Sequence, residues 1–151
     1  MQQNFAITQK SRETLVSFLD NYSVEQLNKI PDGFNNNLFW NLAHIIVVQQ
    51  MLVYNLSGLP MVISNEMVAK YKRGTKPEEN VGQSQIDEIR NLLFDTVKTT
   101  QADYANGIFK DYQSFSTMTG FRIDTVEEAI NFNNYHEGVH TGVMMAIGKL
   151  V

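Results

Sequence analysis

The chain contains only three histidines, and their spacing is suited to holding a metal ion. His136 and His140 are four residues apart, so in a helix both imidazole rings lie on one face and can reach one ion. The third histidine, His44, lies in another predicted helix, on a face that we expect to turn inward. Three neutral ring nitrogens suit zinc, nickel or ferrous iron better than magnesium or calcium, which prefer oxygen. We therefore predict a site for one divalent metal ion at these three histidines.

A site with only three protein ligands leaves coordination positions open, which is the usual arrangement of a catalytic metal. Such an ion can lower the pKa of bound water to about 7, hold a thiol as its thiolate, or polarise a carbonyl group. Asn133 and Glu137 flank His136, and we predict that they orient a histidine or relay a proton. Together with Trp40, they are expected to form the substrate pocket at one end of the protein.

Two other interpretations of these residues are open at this point. The histidines could be ordinary core residues, which would require hydrogen-bond partners for several ring nitrogens. The segment His136-Glu137-Gly138-Val139-His140 also matches the H-E-x-x-H pattern of zinc proteases. A protease is disfavoured, because only eleven residues follow His140 to supply a third ligand and no sheet is predicted beside the helix to hold a peptide.

Four segments with helical periodicity must position these residues. Apolar residues at i, i+3, i+4 and i+7 from Leu15 predict a first helix over residues 4–21. The second is predicted from residues 35–37 to residue 57 and is apolar nearly all round. The third is expected from Ser84 to about residue 106, and the fourth from the capping signal at residues 124–127 to about the C-terminus.

The predicted fourth helix has core positions in alternating steps of three and four residues. These positions are Val126, Ala129, Asn133, His136, His140, Val143, Ile147 and Leu150. The ends of this seam are apolar but its middle is polar, and buried polar groups cost free energy unless they are paired. Glu137 is expected to lie off the seam, about a quarter turn from His136.

The connections between the four helices carry less structure. Residues 23–27 are predicted to form a single helical turn, residues 64–71 a short helix in the long connection 58–83, and residues around 112–117 a small hairpin. Four helices without an extensive sheet predict an all-α four-helix bundle, in one domain over residues 1–151.

Composition excludes several classes of function. Since the chain has no cysteine, it lacks a disulfide framework, a thiolate metal site and a cysteine nucleophile, and any thiol must come from a bound partner. The net charge of −4 argues against nucleic-acid binding, and the basic cluster of Lys70, Lys72, Arg73 and Lys76 is interpreted as solvated surface. No apolar run approaches the roughly 20 residues of a membrane span, and no leader is recognised, so a cytoplasmic location is expected.

The segments around the histidines resemble the motifs of the DinB-like (DinB/YfiT) family. Asn41-Leu42-Ala43-His44-Ile45 is similar to the first histidine motif of the family, and residues 136–142 are similar to the last. The resemblance covers nearly the whole chain. It implies an up-down-down-up four-helix bundle with a long crossover between the second and third helices, metal ligation by His44, His136 and His140, and a homodimer.

The resemblance also implies a class of reaction. Family members with known activity include thiol-dependent transferases and isomerases that use bacillithiol, mycothiol or glutathione. We therefore expect a metal-dependent small-molecule transferase or hydrolase with a low-molecular-weight thiol as cosubstrate. The alternative is a non-catalytic bundle that binds a metal or a small ligand. This chain has Val143 where many members have Gln, which removes one polar contact.

Overall fold

The computed structural model describes all residues 1–151 and is mainly helical. Its elements are the long helices α1 (Gln2–Asn21), α3 (Leu38–Val53), α5 (Gln83–Ala105) and α6 (Val126–Ile147), the short helices α2 (Val24–Asn28) and α4 (Asn65–Tyr71), and the strands β1 (Phe115–Ser116) and β2 (Arg122–Ile123). The prediction of an all-α protein is confirmed. No helix combines the length and the apolar character that crossing a membrane requires.

The interior is built around α3. This helix contacts both α5 and α6, and α1 contacts the same two helices. Fourteen of the sixteen residues of α3 are buried, as expected of a helix that is apolar nearly all round. Its apolar side chains belong to two buried clusters, one including Leu42 and Ile45 and the other including Val53. The helix that carries His44 is therefore fixed from several sides.

Hydroxyl side chains cap the starts of three helices, and two of these caps lie at the capping signals predicted from the sequence. Ser23 accepts a hydrogen bond from the backbone N–H of Gln26, and Ser64 caps α4 in the same way. Thr125 accepts from the backbone N–H of Glu128 at the start of α6. The short helices predicted at residues 23–27 and 64–71 are thus present.

Two helix boundaries differ from the prediction. The second predicted helix begins at Leu38, directly after residues 35–37 as expected, where Asn37 caps it by accepting from the N–H of Trp40 at 2.8 Å, but it ends at Val53, earlier than expected. After Val53 the chain tightens into a 3₁₀ turn over Asn55–Ser57. The third predicted helix begins at Gln83, one residue earlier than expected, because Gln85 accepts from the N–H of Gly82 at 3.1 Å.

The predicted hairpin is present but lies further along the chain. Phe115 pairs with Ile123, and Ser116 pairs with Arg122. The intervening turn contains Gly120 at a φ of 86°, a backbone conformation that glycine adopts without strain. This turn sets the position of the second strand, beyond the residues in which the sequence shows alternation.

Candidate metal centre

The structure brings the three histidines together where α3 and α6 pack. Ligand nitrogens of His44, His136 and His140 all lie within 4.8 Å of one another. The ring centroids of His136 and His140 are 4.5 Å apart, and those of His44 and His140 are 4.7 Å apart. The group can therefore hold a metal ion.

His44 is held in place by the last residue of α4 and by Trp40, one turn earlier in α3. Its Nδ1 lies 2.6 Å from the backbone carbonyl oxygen of Tyr71. The indole of Trp40 stacks on the imidazole, with centroids 4.5 Å apart and planes at 13°, and donates from Nε1 to Thr75 Oγ1 at 3.1 Å. Because a carbonyl only accepts hydrogen bonds, Nδ1 of His44 carries the proton and Nε2 carries the lone pair.

His140 is oriented by a buried amide. Its Nδ1 lies 2.8 Å from Oδ1 of Asn41, one turn before His44 in α3. The amide nitrogen of Asn41 donates to the carbonyl oxygen of Asn37 at 2.7 Å and to Oδ1 of Asn36 at 3.0 Å, which directs Oδ1 towards His140. The lone pair of His140 is therefore also on Nε2.

His136 differs from the other two histidines. Its Nδ1 is buried and has no hydrogen-bond partner. Such a nitrogen is unfavourable in a protein interior unless something polar meets it. With the neighbouring rings supplying two further nitrogens, the donor set fits a metal ion better than it fits a set of satisfied core histidines.

Burial keeps the three rings neutral in the metal-free protein. It lowers the pKa of His136 to about 3, with further lowering by repulsion from His140, His44 and Arg12. Burial also lowers the pKa of His140 to about 4, assisted by repulsion from His44. The pKa of His44 is lowered by burial, although its hydrogen bond to Tyr71 opposes the shift. Neutral rings are the form that binds metals.

Glu137 lies in a different environment from the predicted one. Its carboxylate is fully buried and pairs with Arg12 through two contacts, Nε to Oε2 at 3.0 Å and Nη2 to Oε1 at 2.7 Å. Asn133 donates to Oε1 of Glu137 at 2.7 Å. No hydrogen bond joins the carboxylate to a histidine, so its predicted role as an orienting or relaying group remains a prediction.

The expectation that Glu137 lies off the buried seam is wrong. The buried face of α6 consists of Val126, Ala129, Ile130, Asn133, Glu137, Met144 and Ile147. Leu150, which was expected on the seam, is 51% exposed. The positive charge of Arg12 compensates the negative charge of the carboxylate, which permits an acidic residue at a core position.

The sequence predicted no role for Arg12 or Tyr71, and it placed Asn41 in the first histidine motif without a role in orienting His140. Arg12 is fully buried, and its guanidinium also donates to the carbonyl oxygen of Leu93 at 3.3 Å. The available signal was its position in the apolar stripe of α1, three residues before Leu15. An arginine at a core position implies a buried acid, and Glu137 was available.

An open cavity of about 290 Å³ lies beside the histidines and includes His44 and His136. Its apolar lining comes from α3, α6 and the hairpin region: Val48, Met51, Leu52, Phe115, Met118 and Phe132. Trp40, Asn133 and Glu137, which were expected to form the substrate pocket, do not line this cavity. Trp40 instead lines a separate cavity of about 220 Å³ that contains no histidine.

A helical fold with three clustered histidines beside an open cavity defines a class of potential metal-binding proteins. The chain belongs to the DinB superfamily, whose sequence model matches residues 7–144, as the histidine motifs predicted. A crystal structure described as that of a conserved protein from Enterococcus faecalis is similar in fold, with a TM-score of 0.69. It is 13% identical over 99% of this chain and 95% of that chain, which is a likeness of fold alone. No curated protein matches this chain.

Proposed function

We propose that this protein is a metal-dependent enzyme in which His44, His136 and His140 bind one divalent ion. The observation that carries the proposal is the state of the three Nδ1 atoms. Those of His44 and His140 face hydrogen-bond acceptors, and that of His136 is buried without a partner. Each ring therefore keeps a nitrogen lone pair for a shared ion, and membership of the DinB superfamily supports the assignment.

The ligands suit zinc, nickel or ferrous iron. When bound, such an ion supplies a Lewis acid that lowers the pKa of a coordinated water or thiol. The residues of the chain orient the rings through Tyr71 and Asn41 and keep water from one side through the apolar wall of the cavity. The substrate is a small molecule, because the cavity beside the site is small.

The lining of the cavity favours thiol transfer over hydrolysis. It contains no aspartate or glutamate, and Glu137 is paired with Arg12. Hydrolysis commonly relies on a general base within reach of the attacking water, whereas a thiolate is already a strong nucleophile. We therefore propose a transferase that uses a low-molecular-weight thiol, which the cysteine-free chain must bind as a cosubstrate.

The proposal includes the wider organisation of the molecule. The packing of α1 and of α3 against both α5 and α6 supports a four-helix bundle, and the long connection carrying α4 supports the up-down-down-up order. A single domain over residues 1–151, a homodimer and a cytoplasmic location are further parts of it. Light scattering on the purified protein would test the dimer, and cell fractionation would test the location.

The first test is the metal content of untagged protein. We expect about one equivalent per chain in the wild type, much less in His140→Ala, and no change in Asn131→Ala, an exposed position on α6. Emission from Trp40, the only tryptophan, should change when metal is added, because its indole stacks on His44. A wild type that holds no metal after reconstitution with zinc, nickel or ferrous iron contradicts the proposal.

Activity is tested separately, on protein with measured metal content. Glutathione, bacillithiol and mycothiol are each supplied with a panel of electrophiles, and loss of free thiol is followed with and without chelator. Metal-dependent conjugation supports the transferase. Stable metal binding without turnover of any pair favours the alternative, a non-catalytic metal- or ligand-binding protein.

A further inference from the structure

The polar groups of the cavity beside His44 and His136 are few, and some are already paired. The hydroxyl groups of Thr117 and Thr119 lie 3.1 Å apart, and that of Thr117 also accepts from the backbone N–H of Phe121 at 3.0 Å. These contacts hold the turn of the hairpin. Apart from the histidines and these threonines, Arg73 is the polar residue that lines the cavity.

Arg73 has a charge without a partner. It is exposed and forms no ion pair, whereas Lys70 in the same basic cluster pairs with Glu79 at 2.9 Å and with Glu66 at 3.2 Å. No acidic residue lines the cavity. A guanidinium group binds carboxylates and other oxyanions through paired hydrogen bonds, so Arg73 offers the cavity a specific anion-binding group.

The other side chains that line the cavity are apolar and favour a ligand with an apolar body. Val48, Met51 and Phe132 come from the helices that carry the histidines, and Phe115 and Met118 come from the hairpin region on the opposite side. The volume of about 290 Å³ is near the lower limit of ordinary ligand sites, roughly 300–1,000 Å³. The occupant is therefore a small molecule of about two rings or an equivalent aliphatic group.

We propose that this cavity binds a small molecule with an apolar body and one anionic group, which pairs with Arg73 while the body lies between α3, α6 and the hairpin. This inference names the substrate class of the proposed enzyme and rests on that function. It places the uncharged, reacting end of the molecule beside His44 and His136. The net charge of the chain is −4, so the attraction for the anion is local to the basic cluster.

Two fluorescent probes of nearly the same shape test the requirement for an anionic group separately from the requirement for an apolar body. Anilinonaphthalene sulfonate carries an anion, and N-phenyl-1-naphthylamine has the same two aromatic parts without it. Both are titrated into zinc-loaded and chelator-treated wild type, Arg73→Gln and Lys72→Gln. Lys72 is adjacent and exposed and does not line this cavity, so its variant is a matched control for the loss of one positive charge.

We expect the wild type to bind the anionic probe more tightly than the neutral one. Arg73→Gln should lower the affinity for the anionic probe by about three- to tenfold and leave the affinity for the neutral probe unchanged. Lys72→Gln should leave both within about twofold. If the two substitutions change the affinity for the anionic probe equally, or if Arg73→Gln does not change it, Arg73 does not bind the anionic group and that part of the inference is wrong. If neither probe binds, the inference that the cavity takes an apolar body is wrong.

Carbon-13 methyl labelling of methionine shows where the probes bind. The signals of Met51 and Met118, which line the cavity, should shift on addition of either probe, whereas that of exposed Met145 should not. Met51→Leu and Met118→Leu assign the signals. Probe binding that leaves both signals in place would contradict the inference.

Metal content measured on the same samples keeps the two proposals apart. Charge-dependent probe binding by a protein that takes up no metal would contradict the enzyme and leave the binding of an apolar anion intact. Metal uptake with no dependence on Arg73 would contradict only the substrate class.

Discussion

At the scale of single residues, we expect the atoms that orient the histidines to determine the metal affinity of the proposed site. His140 depends on Asn41, and His44 depends on the carbonyl oxygen of Tyr71. Such partners fix the orientation and the protonated nitrogen of a ligand, and their loss commonly lowers metal affinity by about 10- to 100-fold.

Asn41→Leu should therefore weaken zinc binding by about 10- to 100-fold, measured by competition with a chromogenic chelator. Asn41→Asp should recover most of the affinity, because a carboxylate oxygen can accept from Nδ1 of His140. Thermal unfolding of both variants verifies that they fold. Equal affinity in the wild type and the leucine variant would show that the contact with His140 is not used.

The spacing of the histidines in the sequence was sufficient to predict that they cluster. Two of them are one helical turn apart, and the third could be placed by elimination because the chain has no fourth. Their partners could not be predicted in the same way. Asn41 and Tyr71 contact the rings only after α3, α4 and α6 have packed, and no local pattern identifies a backbone carbonyl as an acceptor for a distant side chain.

At the scale of elements, two contacts decide where the helices that carry the histidines lie. The buried pair of Arg12 and Glu137 joins α1 to α6 in the turn next to His136. The segment after α4 contacts α3 through Thr75 and Trp40. Each contact acts on a different helix, so their effects on the site can be measured independently.

Breaking the buried pair should be costly. Arg12→Met leaves the carboxylate of Glu137 buried without its cation, and we expect a loss of roughly 3–5 kcal/mol in the free energy of unfolding, measured in urea. The double variant Arg12→Met/Glu137→Gln should be more stable than the single one, since a neutral amide still accepts from Asn133. A double variant that is less stable than Arg12→Met would contradict this account.

Loss of the contact of Thr75 with Trp40 should affect the proposed metal site without affecting the core. Thr75→Val removes the hydroxyl that accepts from the indole and whose single proton is shared between the backbone carbonyl oxygens of Lys70 and Lys72. We expect a roughly two- to fivefold loss of zinc affinity and a shift of the Trp40 emission. Thr14→Val, at an exposed position in α1, is the control and should change neither.

The elements were predicted unequally well from the sequence. Capping residues such as Ser23 and Thr125 identified helix starts because their contacts are local. The buried face of α6 was misplaced by about a quarter turn at Glu137, because the pattern treats a charged residue as exposed. Only the long-range pairing with Arg12 makes the buried position favourable.

At the scale of the whole molecule, the clustered histidines should make the metal-free protein sensitive to acid. The ordinary pKa of 6.5 falls to about 3 for His136 and about 4 for His140 in the folded state. Between pH 6.5 and 4 the unfolded chain therefore binds protons that the folded chain does not. Stability should fall with decreasing pH, by at most about 1.4 kcal/mol per pH unit for each histidine.

Unfolding in urea at a series of pH values, with chelator present, measures this dependence. His136→Gln removes one of the titrating rings, so its free energy of unfolding should depend less steeply on pH between pH 6.5 and 4. Above pH 7 the free energies of the wild type and the variant should depend on pH in the same way. Identical slopes in this range would show that the ring of His136 is not kept neutral by the fold.

The contact of His44 with the carbonyl oxygen of Tyr71 also determines which changes in α4 the histidine site can tolerate. Every amino acid presents the same carbonyl group, so the hydrogen bond to His44 does not use the side chain of Tyr71, which packs separately against Phe39. The insertion or deletion of one residue within α4 would instead turn that oxygen by about 100° around the helix axis. The length of α4, rather than the side chain at its last residue, therefore keeps the acceptor of His44 in place.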